Sequence, residues 1–461
     1  MKVKIPHAYV LIFYIIIALG LASYFIPAGN FNRQVDLDTG IEYVVPGTYR
    51  SVEASPVSPF KLFQAIPDGM MQAGDIVIFV LIIGGSFGII NATGTINKLI
   101  SAVVRKNIGK ETRVIPMVMI VFSLAGAILG MAEEVLPLYP IFITLALALG
   151  FDSITGVAMI LLGTGSGFVA GFLNPFTTGI AQGIADIPLF SGMLFRLLCY
   201  LVIVSTTILY VYYYSIKIKK NPSLSPTFEQ DKSRKRSFST DGLPSLTKRD
   251  LIVVSIMLFF LGILVYGVFK KDFYVIEIST IFLIMGILCG IAGNLSSGRI
   301  ALEFIKGSSN LVYGALIIGL AKGIMVVMEY GNIMDTFIFV LSKGIEGLPP
   351  MFSAVAMFVA QSVINLFISS GSGQAAVSMP IMTALADLSG VTRQTSVLAF
   401  QFGDGFSNVI SPTSGYFMAA LAIGRIQWKK WAKWMFPLFA IWCILGGVLL
   451  IIATIIEYGP Y

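Results

Sequence analysis

Histidine is almost missing from this chain: His7 is the only one among 461 residues. Multi-histidine metal sites are thereby excluded, and a Ser-His-Asp triad would have to rest on that one N-terminal residue. Cysteine is scarce as well. Cys199, Cys289 and Cys443 stand apart inside apolar runs, with neither a disulfide pattern nor a metal-ligand spacing. Charge is thin too, at 12% of residues against 56% hydrophobic, with a mean hydropathy of +0.86. Such a chain is too apolar to be soluble, and its apolar runs reach bilayer-spanning length, leaving no soluble catalytic domain. The net charge of +7 does not point to nucleic acid, because Lys and Arg cluster in loops beside the spans, where they set orientation. No cofactor or resident metal is implied, and neither a nucleophile–base pair nor a ligand set supports an enzyme.

What is there is hydrophobic length. Uninterrupted spans are expected near residues 8–27, 74–93, 191–216, 251–269, 274–293, 311–330 and 431–456. Lys2 and Lys4 before the first run superficially resemble a signal peptide, but the run is long for one and reads as a retained span. Interrupted apolar regions lie near 113–150, 154–185, 352–390 and 394–424. The positive-inside rule orders them. Lys2 and Lys4 put the N-terminus in the cytoplasm. The loop 28–70, with Asp36, Asp38, Glu42, Glu53 and Asp68, falls outside, and the loop with Lys98, Arg105, Lys106, Lys110 and Arg113 falls inside. Region 113–150 then enters and leaves on the cytoplasmic side, and 352–390 does so from outside. The basic, Ser/Pro-rich stretch 217–250, with Asp231-Lys-Ser-Arg-Lys-Arg236, is a flexible cytoplasmic linker, and Tyr461 ends outside. Lys270 and Lys271 fall outside and run against the scheme.

The two halves repeat each other. A shift of 240 positions lays Gly130 on Ser370, Pro140 on Pro380, Gly150 on Gly390, Gly163 on Gly403 and Gly165 on Gly405; a shift of 237 lays Pro175 on Pro412. Leu81-Ile-Ile-Gly84 with Gly88 echoes Leu316-Ile-Ile-Gly319 with Gly323. The fold expected is an all-α polytopic membrane protein of inverted-topology repeats, with about nine full spans, two of them broken, and two re-entrant hairpins. Backbone that leaves a helix at membrane depth is tolerated only against a polar cavity or buried in protein. Both tips and both broken spans should therefore share one cavity, where half-helix termini bind charge. The candidate substrate-binding residues are Glu133 and Glu134 at the first tip, and Ser370, Ser372 and Gln374 at the second. Thr164, Ser166, Asn174 and Thr177 lie in the first broken span, and Asp404, Asn408, Thr413 and Ser414 in the second. Intramembrane carboxylates default to function. One of Glu133 and Glu134 could instead cap the following half-helix, and adjacent helical positions point about 100° apart, so one of the pair should face the substrate. Lys322 either meets a carboxylate or snorkels, while Arg196 and Glu329 read as interfacial. Gly163-x-Gly-x-Gly follows no strand and is no phosphate loop. A channel is disfavoured, because paired breaks from both sides suit alternating access.

Gly130-Met-Ala-Glu-Glu134, Asn174-Pro-Phe176, Ala181-Gln-Gly-Ile-Ala185, Ser370-Gly-Ser-Gly-Gln-Ala-Ala376, Leu398-Ala-Phe-Gln-Phe-Gly-Asp-Gly-Phe-Ser407 and Pro412-Thr-Ser414 resemble the signature stretches of YfcC-type carriers. These are associated with basic amino acid antiport and related to DcuC-type C4-dicarboxylate carriers of the ion transporter superfamily. The resemblance covers most of the chain and is weakest in 28–70 and 217–250. It implies a homodimer of the bacterial cytoplasmic membrane working as an elevator. Scaffold parts would be 1–110 and 251–345, transport parts 111–216 and 346–461, joined by the linker 217–250. The carboxylates favour exchange of arginine, ornithine or lysine. The alternative is a C4-dicarboxylate or other small carboxylate carried with a proton or sodium, the coupling cation lying near Glu134 or Asp404.

Overall fold

The computed structural model describes residues 8–35, 42–96, 98, 99, 102, 109–235, 246–271, 273 and 275–459. Lys2, Lys4, Asp36, Asp38, Arg105, Lys106, Arg236 and Tyr461, used above to orient the chain, and His7 lie outside the described residues. The chain is helical almost throughout. The first half holds α1 (Ala8–Ala22), α2 (Pro59–Gln72), α3 (Gly74–Ala92), α4 (Val114–Leu129), α5 (Tyr139–Ala148), α6 (Ser153–Val169), the short α7 (Ile180–Ile184) and α8 (Met193–Lys220). After α9 (Phe228–Lys235), the second half holds α10 (Lys248–Lys271), α11 (Val275–Ala292), α12 (Ser297–Ser309), α13 (Val312–Tyr330) and α14 (Met334–Lys343). It continues with α15 (Pro350–Asn365), α16 (Gly371–Ser389), α17 (Arg393–Asn408), α18 (Gly415–Gly424) and α19 (Trp428–Ile455). Among the described residues, Gly74–Ala92, Glu111–Leu129, Met193–Lys220 and Trp428–Ile455 are each long and apolar enough to cross a membrane. The pair Ala315–Tyr330 and Met334–Lys343 qualifies together but bends by 81°. The expected run 311–330 is thus one limb of a bent pair.

Every expected uninterrupted run carries a helix, and the repeat is visible in the caps. Ser58 and Ser296, 238 positions apart, begin α2 and α12, each accepting a hydrogen bond from the amide three residues on. Asp152 and Thr392, 240 apart, do the same for α6 and α17. Packing repeats as well. Helix α2 crosses α13 as α12 crosses α3, and small residues allow both crossings. A Cβ on Gly69 would lie 2.5 Å from the Gly323 amide nitrogen and 2.7 Å from Gly319 O, while one on Gly307 would strike Gly84 O and approach Gly88. Gly69 and Gly307 correspond in the repeat, as do Gly84 with Gly319 and Gly88 with Gly323. Where α6 crosses α17, a Cβ on Gly165 would sit 2.8 Å from Val409, and one on its repeat mate Gly405 would meet Val169, the repeat mate of Val409. Contacts that exchange partners in this way are those of a pseudo-two-fold axis relating the halves.

Two groups of helices result. One is built from α1, α2, α3 and α10–α13, the other from α4–α8 and α15–α19. They meet largely through α13 on α18. The loop after α1 forms two small antiparallel ribbons, β1 (Gly29–Asn30) with β4 (Arg50–Ser51) and β2 (Arg33–Val35) with β3 (Glu42–Val44). Asp335 of α14 anchors them, accepting from Phe31 N at 2.9 Å and from Arg33 at 2.8 Å.

The linker departs from its composition. Its first part folds, and α9 lies against the corner between α5 and α6. Buried Asp231 accepts from Ser153 N at 2.9 Å and Thr227 Oγ1 at 2.7 Å, and also from Ser153 Oγ. Arg234 donates to Gly424 O at 2.9 Å, at the C-terminus of α18. At the far end, buried Asp250 accepts from Lys98 Nζ at 2.7 Å, Thr95 Oγ1 at 2.9 Å and Thr247 N at 2.8 Å. Burial pushes its carboxyl up, but the bonds from Lys98, Thr247 and Thr95 prevail and hold it below the usual carboxylate range.

Replacing Gly307 with Ala should lower thermal stability in detergent by about 1–3 kcal/mol through overpacking. Gly298→Ala, where a Cβ meets nothing within 4 Å, should not. Asp250→Asn should cost roughly 3 kcal/mol, because it leaves Lys98 unpaired. Since the folded carboxyl is depressed, the wild-type advantage should persist above about pH 4 and fade only as pH drops further, through the folded value. Thermal melts from pH 3 to 8 measure it.

Candidate functional site

A polar chain break in an apolar interior leaves four orphan groups on each helix end, and the site is built around how these are satisfied. Helix α6 stops at Val169. Phe168 O and Gly171 O accept from Gln401 Nε2 of α17 at 3.1 and 2.9 Å, and Gly171 O also accepts from Thr178 Oγ1 at 2.8 Å. The chain restarts in a wide turn, Pro175–Gly179, running into α7; Asn174 Oδ1 caps it, accepting from Phe176 N at 2.9 Å and Thr177 N at 3.2 Å. Helix α17 stops at Asn408, where Val409 O and Ile410 O accept from the indoles of Trp431 and Trp428, each at 2.9 Å. Asn365, closing α15, donates to Asp404 O, Ser407 Oγ and Asn408 Oδ1 at 3.0, 2.7 and 2.9 Å.

Both tips sit on these breaks. The first leaves α4 through left-handed Gly130, whose Cβ would lie 2.5 Å from Asn174 Oδ1. At the second tip, a Cβ on Gly371 would lie 2.7 Å from Thr177 Cγ2 of the first half and 3.4 Å from Asp404 Oδ2 of the second. Between the tips lies a cavity of about 260 Å³ whose walls include Glu133, Glu134, Ser370, Ser372, Asn408 and Thr413 of the candidates. Asp404, Thr177, Asn174 and Ser414 form the layer behind. All four are buried, and Asp404 Oδ2, Thr177 Oγ1, Asn174 Nδ2 and Ser414 Oγ have no hydrogen-bond partner among the described residues. Buried polar atoms are nearly always paired, and these four unpaired atoms lie beside the cavity.

Other candidates bond within the protein, although Gln374 Oε1 has no partner among the described residues. Thr164 Oγ1 donates to Ile160 O at 2.7 Å and Ser166 Oγ to Gly163 O at 3.0 Å, both within α6. Gln374 Nε2 donates to Gln361 O at 2.9 Å and Gln361 Oε1 at 2.7 Å, joining α16 to α15. The two glutamates differ. Glu134 Oε2 accepts from Ala132 N at 2.8 Å, fastening the tip rather than capping the next helix, while the Glu133 carboxylate forms no ion pair and no hydrogen bond to another residue among the described residues. Lys322 Nζ lines the same cavity, 3.2 Å from Met325 Sδ, and forms no ion pair among the described residues.

Several wall residues went unread in the sequence. Asp75 and Gln72 face the cavity from the junction of α2 and α3, and Tyr416, Phe168, Phe176 and Phe367 supply aromatic surface. A carboxylate in the first turn of an apolar span was the signal for Asp75. Arg196, expected at an interface, is instead fully buried. It donates to Gln394 Oε1 at 3.2 Å and to Gln401 Oε1, so the residue that satisfies the end of α6 is itself fixed by a buried guanidinium. Its cation also lies toward the negative C-terminal end of α6. Among the described residues, no cluster of three or more His, Cys, Asp or Glu could hold a metal ion.

Two helix breaks and two tips closing on one charged cavity, within apolar helices of spanning length, are the parts of a multi-pass membrane transporter. The chain belongs to the DcuC family, the C4-dicarboxylate anaerobic carriers, whose model matches residues 5–455. It is 34% identical, over 98% of its length and 97% of the relative's, to Escherichia coli (strain K12) YfcC, provisionally named a basic amino acid antiporter. It is 31% identical to an uncharacterized protein of Haemophilus influenzae, over 92% of this chain and 85% of that one. The crystal structure of the Alcanivorax borkumensis YdaH transporter, described as having an unusual topology, covers 98% of this chain and 99% of its own at 16% identity, with a TM-score of 0.43.

Gln401→Leu would strand Phe168 O, Gly171 O and the Arg196 guanidinium together. A stability loss of about 3 kcal/mol or more is expected from the desolvated groups, read as an earlier thermal transition than that of the wild type.

Proposed function

We propose that this transporter exchanges basic amino acids such as arginine, ornithine and lysine across the bacterial cytoplasmic membrane by alternating access. The observation that carries the reading is the charge around the cavity. Glu133, Glu134 and Asp75 line it and Asp404 lies directly behind, against a single Lys322. A site for dianions should be short of carboxylates, whereas a guanidinium or ammonium is matched by them. The substrate's α-carboxylate meets the hydroxyls of Ser370 and Ser372 and the N-terminal end of α16, which begins at that tip. Its cationic end meets Glu133 or Asp404, and the orphan atoms of Thr177, Asn174 and Ser414 complete the shell. Residues 111–216 and 346–461 then move as a transport part against a scaffold of 1–110 and 251–345, in a homodimer whose N-terminus is cytoplasmic and C-terminus external.

A second reading has its own support in the unpaired Lys322 and in the family's description as C4-dicarboxylate carriers. There Lys322 binds a substrate carboxylate, and a proton or sodium sits near Glu134 or Asp404.

Liposomes with purified protein, preloaded with ornithine, lysine, succinate or buffer, separate the two. Radiolabelled arginine should enter only against internal basic amino acids. Succinate uptake driven by a sodium or proton gradient, with no arginine uptake, would establish the second reading. Within the first, Glu133→Gln, Glu134→Gln and Asp404→Asn should each slow arginine exchange roughly tenfold or more in folded protein, the worth of a charged hydrogen bond. Wild-type exchange by both Glu134→Gln and Asp404→Asn would remove these acids from the mechanism.

A further inference from the structure

A second cavity, of about 360 Å³, opens elsewhere between the two helix groups. One wall belongs to the glycine crossing, with Gly84 and Gly88 of α3 and Gly307 of α12; the other belongs to α5 and α18. Its walls are mainly apolar, formed by Phe87, Ile143, Leu147, Leu311 and Ile423. Among the described residues, its only ionisable lining groups are two arginines, Arg234 and Arg425, and no carboxylate lines it. Asn91, Asn310 and Thr144 add neutral polar groups.

The arginines have different standing. Arg234 is spent in part on protein, donating to Gly424 O at 2.9 Å and Ser153 Oγ at 3.0 Å. Arg425 follows at the end of α18 with left-handed backbone, φ 55°, and its guanidinium makes no hydrogen bond or ion pair among the described residues. The two repel: burial lowers the pKa of Arg234 and the charge of Arg425 lowers it further, with the Asp231 carboxylate opposing both. An anion between them would remove that repulsion. Beyond the arginines, Asn91, Asn310 and Thr144, the rest of the wall is hydrocarbon. A ligand with an anionic head and a long apolar tail matches both ends.

We propose that this crevice binds one anionic phospholipid, its phosphate held between Arg425 and Arg234 and an acyl chain laid along the wall of Phe87, Ile143 and Leu311. Basic pockets between membrane helices are suited to such headgroups. By the positive-inside rule Arg425 and the neighbouring Lys429, Lys430 and Lys433 face the cytoplasm, where the headgroup would sit. The lipid would then wedge between the two helix groups beside their closest contact.

The test needs no transport, so it stands or falls apart from the substrate assignment. Purified, delipidated protein is titrated with phosphatidylglycerol, with phosphatidylcholine of the same chains, and with inorganic phosphate, reading retained lipid by mass and thermal shift. Phosphatidylglycerol should be retained and stabilising, and phosphatidylcholine and phosphate much weaker. Arg425→Gln should weaken phosphatidylglycerol about tenfold, the loss of one charged hydrogen-bonding partner. Lys429→Gln, which removes the same charge outside the cavity, should not. Thr144→Phe, which fills the crevice and keeps both arginines, should abolish lipid retention. Equal binding of the two lipids, equal losses in Arg425→Gln and Lys429→Gln, or phosphate stabilisation matching phosphatidylglycerol and untouched by Thr144→Phe would each overturn the proposal.

Discussion

Everything distinctive here follows from the expense of an unpaired backbone group away from water, several kcal/mol in hydrocarbon. The chain breaks two helices and turns two tips inside its apolar body, and each break is paid for by polar groups brought from elsewhere. Gln401 and Thr178 satisfy the end of α6, Trp428 and Trp431 the end of α17, and Asn174 the restart after the first break. With these ends held, the breaks become rigid enough to present side chains. Glu133 can then line one cavity with Ser370, Asn408 and Thr413, although more than two hundred residues separate it from them.

The satisfaction is deliberate in its asymmetry. Thr164 Oγ1, Ser166 Oγ and Gln374 Nε2 are paired within the protein, whereas Asp404 Oδ2, Thr177 Oγ1, Asn174 Nδ2 and Ser414 Oγ, in the layer behind the cavity, are among the buried atoms left without a partner among the described residues. Arg196 shows the same economy from the other side. A fully buried cation is costly unless it is hydrogen-bonded, and this one donates to the Gln394 and Gln401 amides, of which Gln401 fastens the break with its other end.

Much of this was legible in the residues. Helix positions follow the apolar runs, the repeat follows from glycines and prolines at fixed offsets, and the carboxylates and hydroxyls of the tips announced themselves by standing in hydrocarbon. What escaped was non-local. No pattern around Gly171 says that its carbonyl is met by Gln401, 230 positions on, and nothing near Trp431 says that its indole serves Val409. Arg196 read as interfacial because position along a span was the only cue, while its burial is decided by α17. The linker's composition suggested a tether, yet Asp231 and Arg234 each find several partners, and those contacts fold its first part. Asp75 was passed over because a helix start is an ordinary place for an acid.

The reciprocal crossings of Gly69 with Gly319 and of Gly307 with Gly84 carry one more implication. A contact that maps onto itself when the halves trade places looks the same from either side of the pseudo-axis. Any difference between the two sides must come from parts without a twin. The ribbon of residues 29–51, anchored on Asp335, and the strap around Asp231 are two such parts, so what makes one side of this repeated fold unlike the other resides in its least symmetric pieces.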